Sequence, residues 1–253
     1  MLAGYGRFPG GLCGQGVAGF EGVMRIFAKM KWGAVALLVL GGAAWAEGLP
    51  ALPEEAHAIW AGVGRVNAGG YRSRGMCSGV LVARDRVLTA AHCLFRDDGR
   101  RVPLGDLHFV AGWHRGRAVA DSGVVRAELH PKALREGRLD PARDVAVLVL
   151  ETPLEIAPVP LMGRDLSGPP FAIVAYQGSR PHVMGGRFGC DLRLQKMSLA
   201  VSSCAVEPGA SGGPVMGQVD GDWRVVGVVS ARAGDWTLVA RALDWVAEVV
   251  AAE

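Results

Sequence analysis

Short apolar runs, each ended within a few residues by glycine, aspartate, arginine or proline, set the architecture open to this 253-residue chain. They fall at residues 79–82, 86–89, 145–150, 171–176, 199–203 and 224–230. Runs of this length suit strands, whereas a helix needs a longer periodic stretch. Many short strands with frequent turn signals predict an all-β sandwich or barrel. One hairpin can be placed: residues 214–218 and 223–229 flank Val219-Asp220-Gly221-Asp222, whose Asp-Gly centre suits a tight turn. Two stretches depart from the pattern. Residues 131–138 read as a short surface helix or loop. Leu238, Ala242, Trp245, Val246 and Val249 recur at helical spacing, which predicts a C-terminal helix within 238–252 packed on the β core. Between the halves, Pro153, Pro158, Pro160, Gly163, Gly168, Pro169 and Pro170 break every regular element, so 153–170 reads as a connector.

The first 46 residues differ from the rest. Arg25, Lys29 and Lys31 form a basic stretch after Met24, an apolar run follows at 32–40, and Ala44-Trp45-Ala46 is a small-x-small cleavage signature. This is the pattern of a secretory signal, with an apolar run too short for a permanent membrane span. The Gly-rich residues 1–23 read as an extension upstream of a start at Met24, and 47–65 as a lead-in or short propeptide. Of the 27 basic and 24 acidic side chains, four bases (Arg7, Arg25, Lys29, Lys31) and one acid (Glu21) lie in residues 1–46. The remainder therefore carries equal numbers of each, and no basic patch points to nucleic acid. Cys13 leaves with the leader. Cys77, Cys93, Cys190 and Cys204 remain, an even count in an exported chain, so disulfides are expected. Four cysteines allow three pairings. The local pairs Cys77–Cys93 and Cys190–Cys204 are the ones expected here, each closing a loop of about 15 residues worth roughly 3 kcal/mol. A four-cysteine zinc site is disfavoured because no C-x-x-C occurs.

Three strings carry chemistry. Cys77-Ser78-Gly79-Val80-Leu81-Val82 is followed by Val87-Leu88-Thr89-Ala90-Ala91-His92-Cys93; Asp144 leads into Val145-Ala146-Val147-Leu148; and Gly209-Ala210-Ser211-Gly212-Gly213-Pro214 comes last. A serine hydroxyl is a weak nucleophile near neutral pH until an imidazole takes its proton, and a carboxylate on the other ring nitrogen fixes the tautomer. In this order and context the strings closely resemble the trypsin-like serine proteases, over about residues 65–250. The resemblance implies two six-stranded antiparallel β-barrels, at about 66–155 and 165–236, with a cleft between them. It gives His92 as general base and acid, Asp144 as its orienting carboxylate and Ser211 as nucleophile. The backbone N–H groups of Gly209 and Ser211 would form the oxyanion hole. No metal or organic cofactor is implied. The expected partners are protein or peptide substrates, the expected state is a monomer, and the expected location is secreted or periplasmic.

The pattern also departs from that family. Many animal members carry an aspartate before the nucleophile, which receives a new N-terminal ammonium on activation. Ala210 stands there and cannot form such a pair. Glutamyl endopeptidases of bacteria also lack it, and this chain is closer to them, a bacterial secreted type. A short propeptide ending near Arg65-Val66 is compatible with this, though nothing in the residues requires it. Ala205 falls at the base of the specificity pocket, so a preference for Arg or Lys finds no carboxylate. Val229 does not supply the histidine of glutamyl endopeptidases. Arg232, at the pocket entrance, would narrow it or favour an acidic side chain, and Ser230 corresponds to the serine beside the triad aspartate. Two rivals were weighed. A catalytically inactive binding protein on the same scaffold would typically have lost a triad member. An α/β-hydrolase esterase fits the loose G-x-S-x-G at 209–213 but would place its histidine after the serine, not before.

Overall fold

The computed structural model describes residues 48–69, 75–163, 166 and 170–252. The signal segment, its upstream extension, Met24 and Cys13 lie outside the described residues. The first half contains β1 (Val63–Ala68), β2 (Met76–Ala83), β3 (Arg86–Thr89), β4 (Leu107–Ala111), β5 (Ala120–Leu129), β6 (Leu134–Arg135), β7 (Arg138–Leu139) and β8 (Ala146–Leu150). Six of these close into an antiparallel barrel in the order β1-β2-β3-β8-β5-β4. Every residue of β3 and β8 is buried, which explains why β8 reads as a continuous apolar run. Side chains alternate across a strand, and here both faces are covered. Leu81, Val87 and Leu148 point into the barrel beside Phe109 and Val66. Their neighbours Val80, Leu88 and Val147 pack with Val174, Tyr176, Met216 and Val228 of the second half. Burying each such side chain contributes about 1.5–3 kcal/mol. The alternation thus builds the barrel core with one set and the seam between the halves with the other.

The second half contains β9 (Phe171–Gln177), β10 (Arg180–Cys190), β11 (Leu192–Lys196), β12 (Leu199–Ser202), β13 (Pro214–Val219), β14 (Asp222–Ala233) and β15 (Trp236–Ala240), then a helix, α1 (Leu243–Ala251). The second expected six-stranded barrel is not seen closed among the described residues. These strands form a seven-stranded sheet ordered β10-β9-β13-β14-β15-β12-β11. Its two outer strands, β10 and β11, are consecutive in the chain with Asp191 alone between them. The Cys190–Cys204 disulfide sits at that break.

The 214–229 hairpin forms as expected, with Asp220 (φ 53°) and Gly221 (φ 89°) both left-handed at its turn. Residues 131–138 are neither helix nor irregular loop. Leu134 pairs with Leu139 and Arg135 with Arg138 across a tight turn at Glu136 (φ 53°) and Gly137 (φ 75°). The C-terminal helix begins later than its apolar spacing predicts. Leu238 belongs to β15, where it pairs with Val201 and Ala231, because a strand end and a helix start share the same apolar rhythm here. The helix buries Leu243, Val246 and Val249. Both expected disulfides are present, Cys77–Cys93 with a Cα separation of 6.1 Å and Cys190–Cys204 with 5.4 Å. Residues 48–62, which read as a lead-in, are packed: Leu49 is fully buried and Leu52 and Trp60 nearly so. Among the described residues no helix is long and apolar enough to cross a membrane.

Candidate active site

Antiparallel pairing of Thr89 with Ala146 brings the end of β3 and the start of β8 together. His92 lies just past that end, in the single helical turn Ala91–Leu94, and Asp144 just before that start. The Cys77–Cys93 bridge ties the turn to β2. Asp144 is only 3% exposed. A carboxylate can be buried this deeply when its oxygens are satisfied, and three donors meet them. The His92 backbone N–H donates to Oδ1 at 2.8 Å, and the His92 ring at Nδ1 to Oδ2 at 2.7 Å. The Ser230 hydroxyl donates to the same Oδ2 at 2.7 Å, reaching across from β14 of the other half. An ionised carboxylate only accepts, so the proton of a neutral His92 sits on Nδ1. Nε2 is left with its lone pair, the form a general base needs.

Ser211 sits in the turn before β13. Its carbonyl accepts the Ser78 N–H at 2.8 Å, Gly212 donates its N–H to Val229 at 2.7 Å, and Gly213 donates to Ala210 at 2.9 Å. Gly212 is the seat of this turn. It has φ 76°, and a Cβ there would stand 2.1 Å from Thr89 Oγ1, 2.4 Å from the Ser78 carbonyl oxygen and 2.8 Å from the Ala90 nitrogen. The turn can therefore press against the residues that lead into His92 only because position 212 has no side chain. Among the described residues the His92 imidazole bonds to Asp144, and the turn that carries Ser211 rests on Ser78, Thr89 and Ala90.

Gly209 has φ 98°. Its carbonyl accepts the Ser78 hydroxyl at 2.9 Å, and that hydroxyl also accepts the Tyr176 N–H at 2.9 Å. Neither the Gly209 nor the Ser211 N–H is spent on a backbone partner among the described residues. Ala210, in the position where an aspartate was missed, is fully buried. Ala205 is buried beside Cys204, whose carbonyl accepts the Thr237 hydroxyl at 2.7 Å. The Arg232 guanidinium donates from Nε to Gly234 within its own turn at 2.7 Å and is exposed.

Sequence reasoning passed over Ser78, Thr89 and Gln177. Ser78 and Thr89 are fully buried, Gln177 nearly so, and all three lie in otherwise apolar strands. A polar residue inside a largely apolar strand, as Ser78 is, or closing one, as Thr89 and Gln177 do, is the signal that could have found them. Elsewhere, burial lowers the pKa of His57, with His114 adding to the effect. Burial likewise lowers the pKa of His130, reinforced by Arg143.

The family described as a trypsin-like peptidase domain matches residues 77–228. Chymotrypsin-C of Rattus norvegicus is 27% identical over 219 residues, covering 70% of this chain and 79% of that protein. Serine protease 23 of Homo sapiens and of Macaca mulatta are each 30% identical over 165 residues, covering 55% of this chain and 42% of theirs. The chain thus spans less than half the length of serine protease 23.

Proposed function

We propose that this chain, which belongs to the trypsin-like peptidase domain family, is a serine endopeptidase that works through an acyl-enzyme on Ser211. The observation that carries the reading is the buried Asp144 carboxylate, whose Oδ2 lies 2.7 Å from His92 Nδ1 and also accepts the Ser230 hydroxyl. In this reading Ser211 Oγ attacks the carbonyl carbon of a peptide bond while His92 Nε2 takes its proton. The carbonyl oxygen becomes an oxyanion beside the Gly209 and Ser211 N–H groups. His92 then gives the proton to the leaving amine, and the C–N bond breaks to leave the acyl group on Ser211. Water attacks next, giving its proton to His92, and as the Ser211–acyl bond breaks His92 returns that proton to Ser211 Oγ, releasing the carboxylic acid. Asp144 stabilises the imidazolium formed in both halves of the cycle.

The remaining assignments belong to the same reading. Ala205 makes an Arg or Lys preference unsupported, and Arg232 favours an acidic side chain at the pocket entrance. The leader at 24–46 and the two disulfides support export, to the periplasm or outside the cell. Taking β10 and β11 as one strand bent at Asp191 would reduce the second sheet to six strands, the count of a second barrel.

An organophosphonate serine probe tests the proposal. Labelling should map to Ser211 and vanish in His92→Ala. A correctly folded, probe-silent protein would overturn the enzyme reading in favour of a binding module. A peptide library then reads specificity: if Arg232→Ala leaves acidic preference unchanged, the role of Arg232 fails.

A further inference from the structure

Residues 48–52 run as a strap along β10, an outer strand of the seven-stranded sheet, and past the end of β9. Leu52 donates its N–H to the Met184 carbonyl at 2.9 Å, and Gly186 donates to the Pro50 carbonyl at 2.9 Å. Arg187 Nη2 donates to the Gly48 carbonyl at 2.9 Å, and Arg180 Nη2 to that of Leu49. The most specific anchor is Gln177, the last residue of β9 and 2% exposed. Its Oε1 accepts the Leu49 N–H at 2.9 Å and its Nε2 donates to the Leu49 carbonyl at 3.0 Å. One side-chain amide thus engages both backbone groups of one strap residue. The same Oε1 accepts the Glu207 N–H at 3.1 Å.

Glu207 opens the loop that carries Gly209 and Ser211. Its carbonyl accepts the Ala210 N–H at 3.1 Å, and Gly178, next to Gln177, donates its N–H to Pro208 at 2.7 Å. A Cβ on Gly209 would stand 3.0 Å from the Gly178 nitrogen and 3.2 Å from Gln177 Cα. The loop therefore rests on Gln177 and Gly178. Ala210 gives its tip no charge by which it could be tied down. Ser78 holds the loop at the Gly209 and Ser211 carbonyls, and a chain of hydrogen bonds from the strap through the Gln177 amide reaches its start at Glu207.

We propose that Gln177 is a positioning residue and that residues 48–52 are a strap which, through it, sets the Gly209 and Ser211 N–H groups for the oxyanion. The inference rests on the serine endopeptidase reading above. It makes the strap part of the working enzyme, not a segment to be discarded. Cleavage between Arg65 and Val66 would also cut β1 in the middle of the closed barrel, at a residue only 3% exposed.

The test uses the full chain as exported. Gln177→Leu removes the amide. Gly48→Ala is a milder second variant, since its methyl would meet Gln177 Oε1 at 2.6 Å and Glu207 Oε1 at 2.7 Å. For Gln177→Leu the expected result is kcat down about 10- to 100-fold, with KM on a peptide amide unchanged within about twofold. Gly48→Ala should fall in between. Both should melt well above the assay temperature. Hydrogen exchange of a peptide covering 205–213 should quicken in Gln177→Leu while one covering 145–150 stays protected. A kcat at the wild-type level overturns the inference, and so does a loss that only tracks the unfolded fraction. Unchanged exchange at 205–213 overturns it too. Because exchange needs no turnover, it decides the inference even if the wild type proves inert, the outcome that would instead remove the enzyme reading.

Discussion

Replacing Gly212 with alanine puts the assembly of the site to its sharpest test. The new methyl would meet Thr89 Oγ1 at 2.1 Å, the Ser78 carbonyl oxygen at 2.4 Å and the Ala90 nitrogen at 2.8 Å. Two of these are backbone atoms of the closed barrel or its edge. The third donates a 2.8 Å hydrogen bond to Ser78, which rotation of Thr89 would break. Ordinary contact begins at 3.4 Å, so the 211–213 turn must withdraw by roughly 1 Å, a displacement that can cost about 100-fold in rate. Left-handed backbone adds about 1–2 kcal/mol for a residue with a side chain, and overpacking about 1–3 kcal/mol. The sum, about 2–5 kcal/mol, lowers the melting temperature of a chain this size by about 4–20 °C. Gly99→Ala is the control. Gly99 also has a left-handed φ of 78° but nothing within 4 Å of a Cβ, so it bears the backbone cost alone. Thermal unfolding, and initial rates on a chromogenic peptide measured below both midpoints, separate the two effects. If Gly212→Ala melts and turns over like Gly99→Ala, the idea that this glycine seats Ser211 against the His92 segment is wrong.

Three further outcomes are expected. Ser230→Ala removes one of the three donors to a buried carboxylate. Hydrogen bonds to charged groups contribute about 1.5–3 kcal/mol, so both the melting temperature and kcat should fall, kcat by about tenfold; unchanged values of both would show the bond to be idle. Replacing Cys190 and Cys204 together with alanine opens a bridge of sequence separation 14. It should cost about 3 kcal/mol, read as the shift in denaturant midpoint against the oxidised parent. His57 and His130 both have pKa values held below the ordinary histidine range by burial. The unfolded chain then binds protons first as pH falls below about 6.5. Stability should hold above that pH and decline below it, through the lowered native pKa values. Urea midpoints at a series of pH values check the slope, which His57→Gln should flatten.

Much of the site was legible because its residues sit in strings whose chemistry is local. Thr89-Ala90-Ala91-His92-Cys93 names a turn after a strand, and the β3–β8 pairing that brings Asp144 to it follows from two apolar runs buried on both faces. What was not legible depended on contacts far apart in sequence. Gln177 and Leu49 are 128 positions apart, and nothing local marks either as a partner of the other. Residues 48–62 read as a lead-in because alanine, glycine and proline obscure the few side chains, Leu49, Leu52 and Trp60, that anchor them. β10 was missed because Gly185, Gly186 and Gly189 dilute its apolar pattern, although Gly185 and Gly186 are the positions where the strap's Leu49 and Leu52 press closest. The helix start was misjudged at Leu238 because strand pairing on both sides of β15 overrides a local helical rhythm.

The strap also has a consequence in time. Synthesis runs from the N-terminus, so residues 48–52 are made long before the Gln177 amide and the Glu207 loop that they grip. Contacts between such distant parts of a chain form late, since a long loop must close before they give any return. The His92–Asp144 pair, by contrast, lies within the first half, and the Ser230 donor is what it draws from the second. A nascent or truncated chain would then hold its base and carboxylate ready while the serine and its oxyanion donors were still absent or loose. Under the proposed function, hydrolytic competence would then arrive as the last act of folding.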